Sequence, residues 1–286
     1  MMRIEAFGNS TAQTIYNIEY SNIMGLPFQE VLELFKSCGL ILFQGFGVTY
    51  EQMKTFAEKL SSGFVIDPTK DNLGSLNGWL IQLADGGTHH IAPHCENGST
   101  PFISDVIWFC CDVPAIKGGE TLFWNAVKIW EELSEPTKQL FFAKKVKYWR
   151  NVSVEEWQSF VGEGSTITVL KQMLDNLQGI TYRIEEDQSI YMEYTCSAVR
   201  KTKYDGKQAF ANSIMYEYQR QRVSLEDGSS IPDEVIEEIK AVLDKFTEAI
   251  PWKTGDLAMI DNTKFLHGRP ALTDTERKIF TTQTYI

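Results

Sequence analysis

The sequence predicts an α+β fold, mainly β, arranged as a sandwich or barrel with peripheral helices. Three observations lead there. Apolar runs of strand length recur along the chain, at residues 40–46 (LILFQGF), 104–111 (SDVIWFCC) and 278–286 (KIFTTQTYI). A smaller number of segments place apolar residues at helical spacing instead. No internal repeat, low-complexity tract or Pro/Gly-rich linker divides the 286 residues, so one domain spanning 1–286 is expected.

Residues 28–37 (FQEVLELFKS) carry apolar side chains at helical intervals, and Gly39 is a suitable stop for that helix. The buried strand 40–46 follows. Residues 51–60 (EQMKTFAEKL) read as a second helix with Thr49 as its cap. From 65 to 93 the chain turns rich in Gly, Asn and Asp. So long a loop is usually functional, and we read it as a lid. After strand 104–111, a turn region at 114–119 leads to a strand at 121–124. A helix is expected at 126–133, and Ser134 with Pro136 opens another. Residues 150–230 read as an insertion of short strands and polar loops. Residues 231–250 form the clearest helix, with Pro232 near its start, acids in its first turn and Val235, Ile236, Ile239, Val242, Leu243 and Phe246 on one face. Residues 256–261 and 278–286 finish as strands.

Aromatic residues make up 12% of the chain and are spread throughout, which argues against disorder. A formal charge of −11 repels phosphate backbones and anionic lipids, so neither nucleic acid nor membrane is an expected partner. The same charge leans weakly toward a substrate with a cationic group. The five cysteines, Cys38, Cys95, Cys110, Cys111 and Cys196, have no disulfide or zinc-ribbon spacing. There is no apolar leader at the N-terminus and no run of 18 apolar residues, so a cytoplasmic location is expected.

Four histidines occur: His89, His90, His94 and His267. His94 and Glu96 form an H-x-E pair, and on an extended strand residues i and i+2 face one side. One metal ion meets both if His267 supplies a third ligand from the far end of the chain. Two imidazoles and a carboxylate on one face of an octahedron leave three open positions, the arrangement of non-haem iron(II) oxygenases. The tripeptide alone occurs by chance in many proteins and is more often only a hydrogen-bonded His–acid pair. Thr121 opens one strand and Arg277 the last. A guanidinium gives a dicarboxylate a permanently charged, bidentate partner, and a hydroxyl adds one more hydrogen bond.

The chain resembles the taurine/2,4-D dioxygenase superfamily, within it the clavaminate-synthase-like branch, over most of its length. The resemblance rests on Leu42-Phe43-Gln44-Gly45-Phe46, His94-Cys95-Glu96, Pro114-Ala115 with Gly118-Gly119-Glu120-Thr121, and Ile231-Pro232-Asp233-Glu234. It continues in Pro251-Trp252-Lys253-Thr254-Gly255-Asp256, Asp261-Asn262 and His267-Gly268-Arg269, with Arg277 following. It implies a double-stranded β-helix (jelly-roll, cupin-like) core with peripheral helices. It also implies Fe(II) at His94, Glu96 and His267, 2-oxoglutarate at Thr121 and Arg277, and O2 as oxidant, with release of succinate and CO2. A carboxylate at position 96 leaves no room for the chloride that related halogenases bind, so hydroxylation is the default. Desaturation and ring closure stay open.

The resemblance implies a small-molecule substrate, free or tethered to a carrier protein: an amino acid, a guanidino compound or an aminoacyl group of specialised metabolism. Thr281 stands where taurine-type enzymes place a sulfonate-binding arginine, which disfavours a small sulfonate. Asn77, Trp79, Gln82, His89, His90 and Asn212 are the candidates for substrate contact. Arg269 either braces the triad region by a salt bridge or touches substrate. A zinc hydrolase using the same three ligands and a non-catalytic cupin-like binding protein are the rival readings.

Overall fold

The structure, a computed structural model, describes residues 2–20, 22–65, 81–84, 87–162 and 164–286. The chain opens with β1 (Arg3–Ala6) and β2 (Gln13–Tyr16). Helix α1 (Phe28–Cys38), β3 (Leu40–Gln44) and α2 (Tyr50–Leu60) follow, then β4 (Gly63–Phe64), β5 (Gln82–Leu83), β6 (Ile91–His94), β7 (Val106–Val113) and β8 (Thr121–Asn125). Helices α3 (Ala126–Glu132) and α4 (Glu135–Ala143) lead to β9 (Val146–Val152), α5 (Val154–Val161), α6 (Ile167–Asp175), β10 (Ile180–Ile184) and β11 (Ile190–Cys196). After β12 (Arg200–Lys201), β13 (Gln208–Ala209), α7 (Ile214–Gln219) and β14 (Val223–Leu225), the chain closes with α8 (Asp233–Lys245), β15 (Glu248–Ile250), β16 (Leu257–Asp261), β17 (Phe265–Arg269) and β18 (Lys278–Tyr285).

The core is a double-stranded β-helix. One sheet runs β1-β2-β3-β16-β7-β18-β4, with β5 also paired to β18, and a second runs β15-β8-β17-β6. Side chains alternate across the first sheet. Leu40, Leu42, Ile107, Phe109, Ala258 and Ile260 point between the sheets, where Phe123, Ile250 and Phe265 meet them. Ile41, Phe43, Trp108, Cys110 and Met259 point the other way, beneath Phe35 of α1 and Phe56 of α2. Burial on both faces is why these strands read as unbroken apolar runs. Trp108 is fully buried and donates its indole N–H to Thr284 Oγ1 at 3.0 Å, so Trp108→Ala costs about 3–5 kcal/mol.

Thr49 caps α2 through a reciprocal capping box with Gln52. Two expectations need correction. The helix expected over 231–250 stops at Lys245, because 248–250 are taken into the sheet, pairing Ile250 with Thr121. The stretch 150–230 holds three helices as well as strands. Its sheet, β10-β11-β9-β14, packs α5 and α6 around Trp157, Leu170, Leu174 and Ile190. Residues 66–80 and 85–86, most of the expected lid, lie outside the described residues. The described part of that stretch contributes β5 and β6 to the two sheets.

Candidate active site

Strand β6 pairs with β17 so that His94 lies directly opposite His267. The close approach depends on Gly268, where a Cβ would sit 2.6 Å from the carbonyl oxygen of Ile91 and 3.3 Å from Trp124. Glu96 falls just beyond the end of β6, in a turn. Asn262 pins that turn. Its Oδ1 accepts from the Glu96 N–H at 2.7 Å, and its Nδ2 donates to the Glu96 carbonyl at 3.0 Å and to the Ser104 carbonyl at 3.0 Å. The i, i+2 relation expected on a strand is therefore secured at the strand's end by a side chain from the opposite end of the sequence.

His267 Nε2 lies 3.2 Å and His94 Nε2 3.8 Å from Glu96 Oε2, and the three donor atoms fall within 4.8 Å of one another. A metal with bonds of about 2.1 Å at right angles needs donors ~3 Å apart, so small side-chain adjustments suffice. His94 Nδ1 lies 2.8 Å from the Ala92 carbonyl, which directs the proton to Nδ1 and leaves on Nε2 the lone pair that a metal ion would need. Two neutral imidazole nitrogens and a carboxylate oxygen suit iron(II). Phe109 packs edge-on against His267 at 5.3 Å, and Tyr216 lies against His94 at 4.6 Å.

One cavity of about 110 Å³ has His94, Glu96, His267, Thr121, Arg269, Arg277 and Thr281 in its walls. Arg277 Nε donates to the Gly119 carbonyl at 2.8 Å. Gly119 has φ +78°, and a Cβ there would sit 2.6 Å from Ala115 Cβ and 3.1 Å from Arg277 Cδ. The glycine in G-G-E-T thus makes the space that Arg277 occupies. Thr121 is buried, and its Oγ1 accepts from Trp252 Nε1 at 2.9 Å. Its own hydroxyl proton is left to donate elsewhere. The hydroxyl of Thr281 is buried and makes no hydrogen bond among the described residues.

The remaining expected positions scatter. Asn77 and Trp79 lie outside the described residues. Gln82 is buried on β5 opposite Thr281 and belongs to neither cavity wall beside the triad. His89 and His90 are exposed, His90 with its Nδ1 3.3 Å from Gln219 Nε2. Asn212 is engaged with backbone, donating to the Ala198 carbonyl and accepting from the Ile214 N–H, and it lines neither cavity. Its carbonyl accepts from the Cys95 N–H at 3.0 Å, which anchors the segment between two triad residues. Arg269 is buried and donates to the backbone carbonyls of Gly87 and His89 at 2.5 and 2.8 Å, bracing the stretch ahead of β6.

A second cavity of about 220 Å³ shares His94, Glu96 and Tyr216 with the first. Arg150, Tyr148, Tyr194, Glu217, Arg220 and Arg222 are among its walls. None of these had been anticipated. The Arg220-Gln221-Arg222 spacing was legible as two cations close together in sequence, but nothing tied it to the metal pair. Burial pushes the Glu217 carboxyl above its usual range, against the pull of Ser99, Arg220, Arg222 and Arg150.

The family model described as "Taurine catabolism dioxygenase TauD, TfdA family" matches residues 4–283. Dapdiamide synthesis protein DdaC of Enterobacter agglomerans is 23% identical over 269 residues, covering 85% of this chain and 80% of that protein. Among solved structures, PvcB of Pseudomonas aeruginosa superposes with a TM-score of 0.66 at 13% identity, over 99% of this chain and 91% of its own. PvcB is described as an Fe, α-ketoglutarate dependent oxygenase from an isonitrile synthetic pathway. AAD-2, solved with Mn(II) and N-oxalylglycine, gives a TM-score of 0.60 at 16% identity, over 99% of this chain and 97% of its own.

Proposed function

Because the chain belongs to the taurine catabolism dioxygenase TauD, TfdA family, and is thereby an oxygenase dependent on iron(II) and 2-oxoglutarate, we propose that it hydroxylates an unactivated C–H bond of a small substrate in specialised-metabolite biosynthesis. The substrate is amino-acid-like, guanidino or carrier-tethered. The biosynthetic setting draws support from DdaC, a dapdiamide synthesis protein, and from PvcB, of an isonitrile pathway. A reducing cytoplasm suits the five free thiols.

One observation carries the assignment of residues: the His94, Glu96 and His267 donor atoms share a cavity wall with Arg277 and Thr121. His94, Glu96 and His267 hold the iron. Arg277 holds the distal carboxylate of 2-oxoglutarate, and the Thr121 hydroxyl proton and the Thr281 hydroxyl donate to it. When bound, the iron and 2-oxoglutarate together activate dioxygen, and the substrate C–H becomes C–OH as 2-oxoglutarate becomes succinate and CO2. The protein's part is orientation and exclusion of water. Asn262 fixes Glu96, the Ala92 carbonyl fixes the His94 tautomer, and Phe109 and Tyr216 wall the histidines on either side.

Anaerobic addition of Fe(II) and then 2-oxoglutarate tests this reading. A weak visible charge-transfer band should appear only with both present, and zinc should give none. No band with iron, together with hydrolytic activity in the zinc form, contradicts it.

A further inference from the structure

This inference rests on the reading above, since it concerns the cavity left for substrate once iron and 2-oxoglutarate occupy the other. That cavity, about 220 Å³, is small beside drug-sized sites of about 300–1,000 Å³. Besides Glu96, its walls hold one carboxylate, Glu217, against three guanidinium groups, Arg150, Arg220 and Arg222. Arg220 lies 3.5 Å over the ring of Tyr216, which itself lies against His94, so a cation is stacked one ring away from a triad histidine. The Tyr148 hydroxyl is buried without a hydrogen bond among the described residues.

Positive charge concentrated in a partly enclosed, aromatic-walled pocket draws an anion, which gains charge-assisted hydrogen bonds on entering. We propose that the substrate is a compact organic acid whose carboxylate is held by Arg150, Arg220 and Arg222, with its body along Tyr148, Tyr194 and Tyr216 toward His94 and Glu96. The chain's net charge of −11 leans toward a cationic substrate, but the walls of this pocket carry three guanidinium groups against two carboxylates. A guanidino group fits poorly beside three others. An amino acid fits, with Glu217 available to its ammonium group.

The test uses the holoenzyme with Fe(II) and 2-oxoglutarate, without oxygen. It is titrated with 3-phenylpropionate, phenethylamine and 4′-phosphopantetheine by calorimetry and by perturbation of the visible band. The acid should bind about tenfold or more tightly than the amine. Arg220→Gln and Arg222→Gln should each weaken the acid by about tenfold while 2-oxoglutarate affinity holds. Equal or tighter binding of the amine, absence of acid binding, or acid binding unchanged in both variants overturns the proposal. Tighter binding of 4′-phosphopantetheine than of the acid also overturns it, in favour of a carrier's phosphate. Absence of the band before any probe is added contradicts the iron reading instead. The calorimetric ranking of acid and amine still decides the pocket.

Discussion

The cavity toward Arg277 takes its walls from β8, β17 and β18, strands of the two facing sheets, whereas the pocket beyond Tyr216 takes its walls from β9, β11 and α7. The first is about 110 Å³ and draws on several short sequence motifs; the second is about 220 Å³ and, apart from the shared H-x-E pair, has none. His94, Glu96 and Tyr216 belong to both. The difference follows from how each is assembled. In the first, the polar groups are fixed by strand register and by one glycine beneath Arg277. In the second, apart from the segment His94–Thr100, they come from separate elements between β9 and β14 and meet only through tertiary packing. Chemistry common to a fold sits on its strands, and choice of substrate sits on what is added to them.

If the two cavities are separate in function, substitutions on one side should leave the ligand of the other untouched. The largest effect is expected from Arg277→Gln. It removes a charged hydrogen-bond partner worth about 1.5–3 kcal/mol, so 2-oxoglutarate should bind ~10–100-fold more weakly by calorimetry. Binding of 3-phenylpropionate should change less than about twofold.

Asn262→Ala attacks the shared wall. It leaves the backbone N–H of Glu96 and the carbonyls of Glu96 and Ser104 without partners in the core, at about 1–3 kcal/mol. Thermal unfolding should come several degrees earlier, and iron affinity should fall ~10–100-fold, as is usual for groups that orient a ligand. Unchanged iron affinity would show that the Glu96 turn holds itself.

Thr121→Val keeps the shape and removes the hydroxyl. About 1 kcal/mol, or roughly fivefold in 2-oxoglutarate affinity, should be lost, and Thr121→Ser should restore it.

The smallest effect is a pH dependence at the end of β16, next to Asn262. Burial pushes the Asp261 carboxyl up to about 6 from the ordinary 3.8, against hydrogen bonds from the Thr263 N–H and hydroxyl. The native state therefore binds this proton more readily than the unfolded chain. Stability from this group is greatest at low pH and is lost as pH rises from about 4 through about 6. Asp261→Asn should flatten that part of a melting-temperature profile. A profile unchanged by the substitution would assign the slope to other groups.

Much of the first cavity was legible in the sequence because each motif has a local physical cause. H-x-E was read from strand alternation, and the turn that follows His94 keeps Glu96 on the same side. H-G-R works because only glycine lets β17 approach β6 at Ile91. G-G-E-T works because Gly119 leaves space for Arg277. The role of Asn262 was not legible, since it acts on a backbone 166 residues away. In 150–230 the helix α5 had a readable start, Ser153 with Glu156 in a capping box. The helix α7 did not, being six residues with no side-chain cap, and it carries Tyr216 and Glu217. The net charge misled because it sums over the whole surface, whereas a pocket responds to the few charges in its walls.

The most direct test of the central claim is to measure Fe(II) and 2-oxoglutarate binding together, without oxygen, in the wild type, His267→Ala and Arg277→Gln. One iron and one 2-oxoglutarate per chain should bind in the wild type. His267→Ala should weaken both, and Arg277→Gln should weaken 2-oxoglutarate alone. Undiminished 2-oxoglutarate binding in His267→Ala, or equal loss of both ligands in Arg277→Gln, would contradict a single site built from the triad and the Arg277 cavity.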